Sequence, residues 1–219
     1  MKNFLAVDTG SKYMTVLAVK DGKRTAIFEP DCSMRHSVKL MNAVDEVLKR
    51  ADASLEDFDF FACVVGAGSF TGIRIGISTV KGFSSSTGKP TLPVTSFDLA
   101  AYNVKEARGE SGKILVLCDA LHSAYYACGY DEQNRVILSP AYLTENEVLA
   151  LKEEGFLLVS LEQVPMETRL VDPAEGLYKA AVALSEQVEK FGELNALYVR
   201  KSQAEINLEE AQKKAGGEI

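Results

Sequence analysis

The spacing of apolar and polar positions divides the first half of the chain into short strands and longer helices. The opening FLAVDTGSKYMTVLAVKDGKRTAIFE predicts strands over 4–8, 13–19 and 25–29. Thr9-Gly10-Ser11 separates the first two, and Asp21-Gly22 separates the second and third. Asp-Gly between two apolar runs is a strong signal for a two-residue hairpin. Ser33 can cap a helix running to Ala51. Residues 58–65, apolar except for Asp59, form a run that ends at glycine, the pattern of a central strand covered on both faces. A second helix is expected over 72–86, then a short strand marked by Pro90 and Pro93, then a third helix over 96–107.

Polar, glycine-containing residues 108–112 place a boundary there and predict lobes over 1–107 and 113–219. Beyond it the opening plan returns. Residues 114–119 read as a buried strand ending in aspartate, followed by strands over 124–130 and 135–138 with a polar turn between them. Strand, aspartate, turn, strand and hairpin thus occur twice, at Asp8 and at Asp119, although the residues differ. Two ribonuclease H-like units in an α/β chain explain the repetition. Helices near 145–153 and 174–191, a strand over 196–199 and a fraying polar tail complete the expectation.

Of the 219 residues, 47% are hydrophobic and 25% charged, enough to bury a substantial core and to exclude disorder as the default. No apolar run approaches the roughly 18 residues that span a bilayer, so a cytoplasmic protein is expected. Cys32, Cys63, Cys118 and Cys128 form no CxxC pair, and only His36 and His122 could complete a thiolate metal site. Reduced thiols are therefore expected. A net charge of −7 has the wrong sign for a surface that grips phosphates throughout.

Asp8-Thr9-Gly10 at a strand end admits three readings. An aspartic protease needs two such carboxylates sharing a proton, and this chain has one Asp-Thr-Gly. A phosphate loop of the actin and sugar-kinase type would turn backbone amides toward a nucleotide and use the aspartate to hold a hydrated metal. The third reading is a tight turn that needs glycine. Residues Gly66 to Gly72, reading GAGSFTG between a strand and a helix, are more informative, because glycines there let a backbone or phosphate approach the helix start. A dinucleotide loop would require glycine at position 71, which is Thr71, and no Gly-Lys-Ser/Thr triplet follows.

Here the likeness becomes specific: GAGSFTGIRIG, residues 66–76, closely resembles the GPGSFTGLRIG signature of the TsaB family. AVDTG, LCDALHSAYYA and YVRKSQAE, the last at 198–205, also fall where that family has its own versions. The resemblance implies an actin-like fold and a role in the complex that places a threonylcarbamoyl group on adenosine next to the tRNA anticodon. Within that complex TsaD would be the metal-binding transferase and TsaE the ATPase. A TsaB-like chain would be a non-catalytic subunit that binds and activates TsaD, meets tRNA indirectly, and forms a homodimer when alone. It would require no cofactor of its own, ATP or ADP belonging to the complex.

Residues Asp8, Thr9, Gly10, Gly66, Gly68 and Ser69 would line a nucleotide cleft in vestigial form. The resemblance also marks an absence. TsaD proteins carry an HxxxH metal pair after a Pro-Val strand, and Ser96 and Ala100 stand at the matching places. Ala67 replaces the family's usual proline, and Leu121 an arginine. The older label for the family leaves open an independent nucleotide-dependent enzyme or a glycoprotease-like peptidase. His36 and His122 read as surface or capping residues, since no nucleophilic constellation surrounds them.

On the first helix, Met34, Val38, Met41 and Leu48 extend the apolar arc to about half the circumference, wider than the roughly 100° stripe one core requires. On the second, Gly72, Gly76, Thr79 and Phe83 share a face that another element can approach closely. These eight residues are the expected partner surface.

Overall fold

Asp21 and Gly22 adopt φ of 50° and 75°, so the turn between the second and third strands follows the twist of the ladder it closes. The computed structural model describes residues 2–104 and 112–200. In it β1 (Phe4–Asp8), β2 (Met14–Lys20) and β3 (Lys23–Glu29) form an antiparallel meander. β4 (Phe60–Val64) joins β1 in parallel and β5 (Thr91–Val94) joins β4. The helices α1 (His36–Ala51), α2 (Phe70–Thr87) and α3 (Ser96–Asn103) follow β3, β4 and β5 respectively. Every residue of β1 and β4 is buried, as unbroken apolar runs demand.

The second half repeats this order. β6 (Ile114–Asp119), β7 (Ala124–Tyr130) and β8 (Val136–Thr144) form a meander; α4 (Glu145–Glu153) leads to β9 (Leu157–Ser160), parallel to β6, and β10 (Arg169–Leu170) lies beyond it. The sheets run β3-β2-β1-β4-β5 and β8-β7-β6-β9-β10. Among the described residues, α5 (Pro173–Ser185) is the last regular element apart from a short 3₁₀ turn at Val188–Lys190.

Three apolar clusters hold these layers. Leu5, Val16, Leu40, Val44, Ile73 and Phe83 fill the space between the first sheet and the α1–α2 layer. Phe4, Leu17, Phe97, Val116, Val159 and Leu177 join both lobes in one core. Leu115, Tyr125 and Val148 belong to a smaller cluster of the second lobe. α5 comes late in sequence but packs on α3 and reaches β1 and β2. Gly176 permits this, because a Cβ there would lie 2.5 Å from the Leu99 carbonyl oxygen.

Several expectations are corrected. Ser33 does not cap α1: Met34 turns back at φ 62°, the Arg35 amide bonds the Cys32 carbonyl, and Arg35 occupies the cap position without a side-chain bond. α2 begins two residues early because Ser69 caps it, accepting from the Gly72 amide at 3.2 Å. β8 runs on to Thr144 through a register shift near Pro140, tolerated on an edge strand. The last helix stops at Ser185 rather than 191, its final acceptors taken by the Ser185 hydroxyl on Val182 and by Lys2 on the Ser185 carbonyl. No strand forms at 196–199; the Leu197 amide makes an isolated bond to the Val65 carbonyl. β9 and β10, unforeseen, are too short to show a period. The expected boundary, except Gly112, the end of the third helix beyond 104, and the tail from 201 lie outside the described residues.

Candidate functional site

β1 and β6 end in equivalent turns. The Gly10 amide donates to Asp8 Oδ1 at 2.9 Å, and the Leu121 amide donates to Asp119 Oδ1 at 2.8 Å. Asp8 is 1% exposed, whereas Asp119 is half-buried. Burial pushes the Asp8 carboxyl up to about 6, against the opposing pull of the Gly10 amide, the Tyr13 hydroxyl and His36. Asp8 Oδ2 and the Tyr13 hydroxyl are both shut away from solvent without a hydrogen bond of ordinary geometry. From the other lobe Glu162 faces the same cleft. Burial raises its pKa, the Lys12 ammonium and amide lower it, and Asp119 raises it. The thiols are poor nucleophiles: burial, with Glu162 and Asp8 nearby, raises Cys118 to about 12, and burial raises Cys63 as well. Among the described residues no group of three or more His, Cys, Asp or Glu could hold a metal ion.

The glycine loop closes onto the first turn. Gly66 and Gly68 have φ of 123° and 155°, conformations that favour glycine. The Ser69 amide donates to the Gly10 carbonyl at 2.7 Å, and a Cβ on Gly68 would overlap that carbonyl. Thr9 Oγ1 donates to the Gly72 carbonyl at 2.7 Å. The structure thus brings Asp8, Thr9, Gly10, Gly66, Gly68 and Ser69 together. Backbone meets backbone, however, and no gap for a phosphate remains between Gly10 and Gly68.

The expected partner surface divides. Gly72 and Gly76 face the Thr9 carbonyl oxygen and hydroxyl, and Phe83, 7% exposed, packs 5.8 Å from Phe61. That glycine face is therefore internal, a correction whose reason is the close approach of the Asp8–Gly10 turn. Leu48 and Thr79 are half-buried. Met34, Val38 and Met41 are 96%, 72% and 47% exposed. An open groove runs from Met41 and Leu40 of α1 to Phe70, Arg74 and Ile75 of α2.

Sequence reasoning missed a cluster at the rim of this groove. Arg74 Nε donates to the Tyr198 hydroxyl at 2.9 Å, its guanidinium lies 3.8 Å from the Phe70 ring centre, and the two rings stack at 5.2 Å. No periodicity could have found a pair 124 positions apart. His36 is also corrected. It is 6% exposed, and its Nε2 lies 3.1 Å from the Tyr13 carbonyl, which can only accept. His122 is exposed in a turn where Leu121, His122 and Ser123 all have positive φ. Ser96 and Ala100 lie inside the packing: Ser96 Oγ donates to the Ala67 carbonyl at 2.6 Å, and Ala100 is wholly buried.

Residues 27–208 match the family described as TsaD, tRNA N6-adenosine threonylcarbamoyltransferase. The chain is 28% identical over 150 residues to the tRNA threonylcarbamoyladenosine biosynthesis protein TsaB of Escherichia coli (strain K12), covering 64% of each chain. It is 28% identical over 133 residues to the protein of that description from Bacillus subtilis (strain 168), covering 61% of this chain and 57% of the relative. It thus spans less than two thirds of the length of these curated relatives. Among solved structures, YeaZ from Pseudomonas aeruginosa superposes with a TM-score of 0.72 at 23% identity, over 90% of this chain and 100% of that one. A Pseudomonas aeruginosa protein described as similar to peptidase YEAZ gives 0.76 at 23% identity, over 91% and 100%. These likenesses establish the two-lobed fold.

Proposed function

The chain belongs to the TsaD family of tRNA N6-adenosine threonylcarbamoyltransferases, and from that membership we propose that it is a non-catalytic subunit that binds and activates a TsaD transferase. The product is threonylcarbamoyladenosine on tRNA. The observation that carries this reading is the fate of Ser96 and Ala100. Where the transferases resembled here place two histidines, one side chain is tied to the Ala67 carbonyl and the other is a core methyl. Neither supplies a metal ligand. The sealed contact between Gly10 and Gly68 supports the same conclusion, since a phosphate loop must leave its amides free.

The open groove between α1 and α2, with Val38 and Met41 exposed beside it, is the surface proposed for TsaD and, in its absence, for a second copy of the chain. TsaE would join that complex, tRNA would be held mainly by the partners, and any ATP or ADP would serve the complex. No described helix is long and apolar enough to cross a membrane, in keeping with a proposed cytoplasmic location. Reconstitution with TsaD, TsaE, tRNA and the activated threonylcarbamoyl donor tests the reading. Omitting this chain should abolish modified adenosine; undiminished product on omission, or product from this chain without TsaD, would overturn it.

A further inference from the structure

The two-residue turn at Asp21 and Gly22 fixes which backbone groups of β3 face outward. Lys20 and Lys23 close that turn as a pair, so the hydrogen bonds of Lys23 run inward to β2. Orientation alternates along a strand, and Arg24, Ala26 and Phe28 therefore turn their amides and carbonyls away from β2. Among the described residues, no backbone hydrogen bond reaches Lys23–Glu29 from any element but β2. The other three sheet edges are blunted. β5 contains Pro93 and receives the Gly192 amide on its Thr91 carbonyl, β8 contains Pro140 and shifts register, and β10 has two residues. β3 keeps seven residues in unbroken register, with no proline.

The charges on this edge are complementary to a copy of itself. Lys23 and Arg24 stand at its start and Glu29 at its end, with Thr25, Ala26, Ile27 and Phe28 between them. Paired antiparallel about Ala26, two copies set Lys23 opposite Glu29, Arg24 opposite Phe28 and Thr25 opposite Ile27, each of them twice. Every ammonium then meets a carboxylate, and every guanidinium an aromatic ring. Residues 24, 26 and 28 exchange the outward hydrogen bonds, as their orientation requires. A shift of two residues in one direction puts Arg24 opposite itself, and in the other carries Lys23 past the end of the strand. Lys23 has no carboxylate partner among the described residues. Ala26 and Phe28 are exposed, Phe28 to 43%. On the α1 side an open groove of about 550 Å³, lined in part by Ile27, Glu29, Asn42 and Glu46, lies where the second copy's Lys23 would enter.

We propose that the β3 edge pairs with β3 of a second copy about a two-fold axis, joining two five-stranded sheets into one continuous sheet. This contact is separate from the groove between α1 and α2 and does not depend on the proposed function. Where the helices hold TsaD, the strand edge links two such pairs. Seven residues a side make a contact below standard size, so the pairing is weak, with a dissociation constant on the order of 0.1 to 1 mM. The Met41→Glu chain is therefore monomeric at the micromolar concentrations of light scattering and pairs only when more concentrated.

The test uses the full chain carrying Met41→Glu, which removes the helix surface, at concentrations up to about 1 mM. In nuclear magnetic resonance spectra the amides of Arg24, Ala26 and Phe28 should shift saturably with concentration. Ala26→Pro deletes an outward donor and leaves the β2 ladder its bonds; read at Arg24 and Phe28, it should weaken association roughly tenfold or more. Charge variants give a second measure that does not require the edge to accommodate proline. Lys23→Glu and Glu29→Lys should each associate roughly tenfold more weakly alone, because like charges then face each other. A one-to-one mixture of the two restores opposite charges at both ends and should associate at least as strongly as the parent. No concentration dependence at residues 24, 26 and 28, or a mixture no stronger than either variant alone, would overturn the proposal. Protection of those amides only when TsaD is added would assign the edge to that partner and overturn it equally.

Discussion

Replacing Asp8 with asparagine should stabilise the protein at neutral pH, although the position ends a central strand and sits at the heart of the cleft. The carboxyl is 1% exposed, and its pKa rises from 3.8 to about 6. An acid whose pKa is higher folded than unfolded contributes stability at low pH, where both states are protonated, and loses it as pH rises through the folded value. From below the unfolded value of 3.8 to well above the folded value of about 6 the loss totals about 3 kcal/mol, from about 1.4 kcal/mol per tenfold change in proton affinity. The amide side chain carries no charge and can preserve both ends of the site. Its oxygen still accepts from the Gly10 amide, and its nitrogen can donate to the neighbouring Tyr13 hydroxyl. Urea unfolding at pH 4.5 and 7.5 measures the effect. Wild type should lose stability over that interval relative to Asp8→Asn, and at pH 7.5 the variant should be the more stable by about 1 to 3 kcal/mol. Parallel pH profiles, or a variant less stable at pH 7.5, would show that the buried carboxylate has a compensating partner and that burial does not set its proton affinity.

The same substitution should leave TsaD-dependent tRNA modification largely intact in the reconstituted system, because no chemical step is assigned to Asp8; collapsed turnover with normal complex formation would assign one. Met41→Glu should give a folded monomer by light scattering that no longer binds TsaD, since a standard interface of about 1,600 Å² leaves a central charge desolvated at a cost of several kcal/mol. Wild-type affinity would place the interface elsewhere. Gly68→Ala should lower stability by roughly 2 kcal/mol or more in denaturant unfolding, because the new Cβ overlaps the Gly10 carbonyl and φ is 155°; a change below 0.5 kcal/mol would show that the two turns separate easily. With a net charge of −7, the isolated chain should bind tRNA weakly and only at low salt; sub-micromolar affinity at about 0.15 M salt would contradict the reading.

What the sequence reveals most readily is period and punctuation. Unbroken runs at 60–64 and 114–119, Asp21-Gly22, and a strand ending in aspartate at both Asp8 and Asp119 announce the paired sheets. What it hides is the identity of a neighbour. Gly72 and Gly76 correctly signal a close approach on one face of α2, but their spacing is the same for a partner helix as for Thr9 of the same chain. The apolar arc on α1 likewise sums two surfaces. Leu40, Val44 and Val47 serve the core, while Val38 and Met41 remain in solvent. His36 falls on the polar side of the helical pattern, yet the Tyr13 carbonyl draws it inside, a contact across 23 positions.

The two aspartate turns show why local likeness underdetermines a site. Each carboxylate accepts the amide two residues on, at 2.9 and 2.8 Å, so the local hydrogen bonding is the same. Their surroundings differ because of what closes over them. In the first lobe Gly66, Gly68 and the start of α2 fold down on Thr9 and Gly10, sealing Asp8 and raising its proton affinity. After β9 there is no glycine-rich loop and helix start of that kind, and the second turn stands open with Leu121 65% exposed. Duplicating a strand and its turn therefore does not duplicate its chemistry. The glycines that dock the loop on the Asp8 turn also bury its carboxylate.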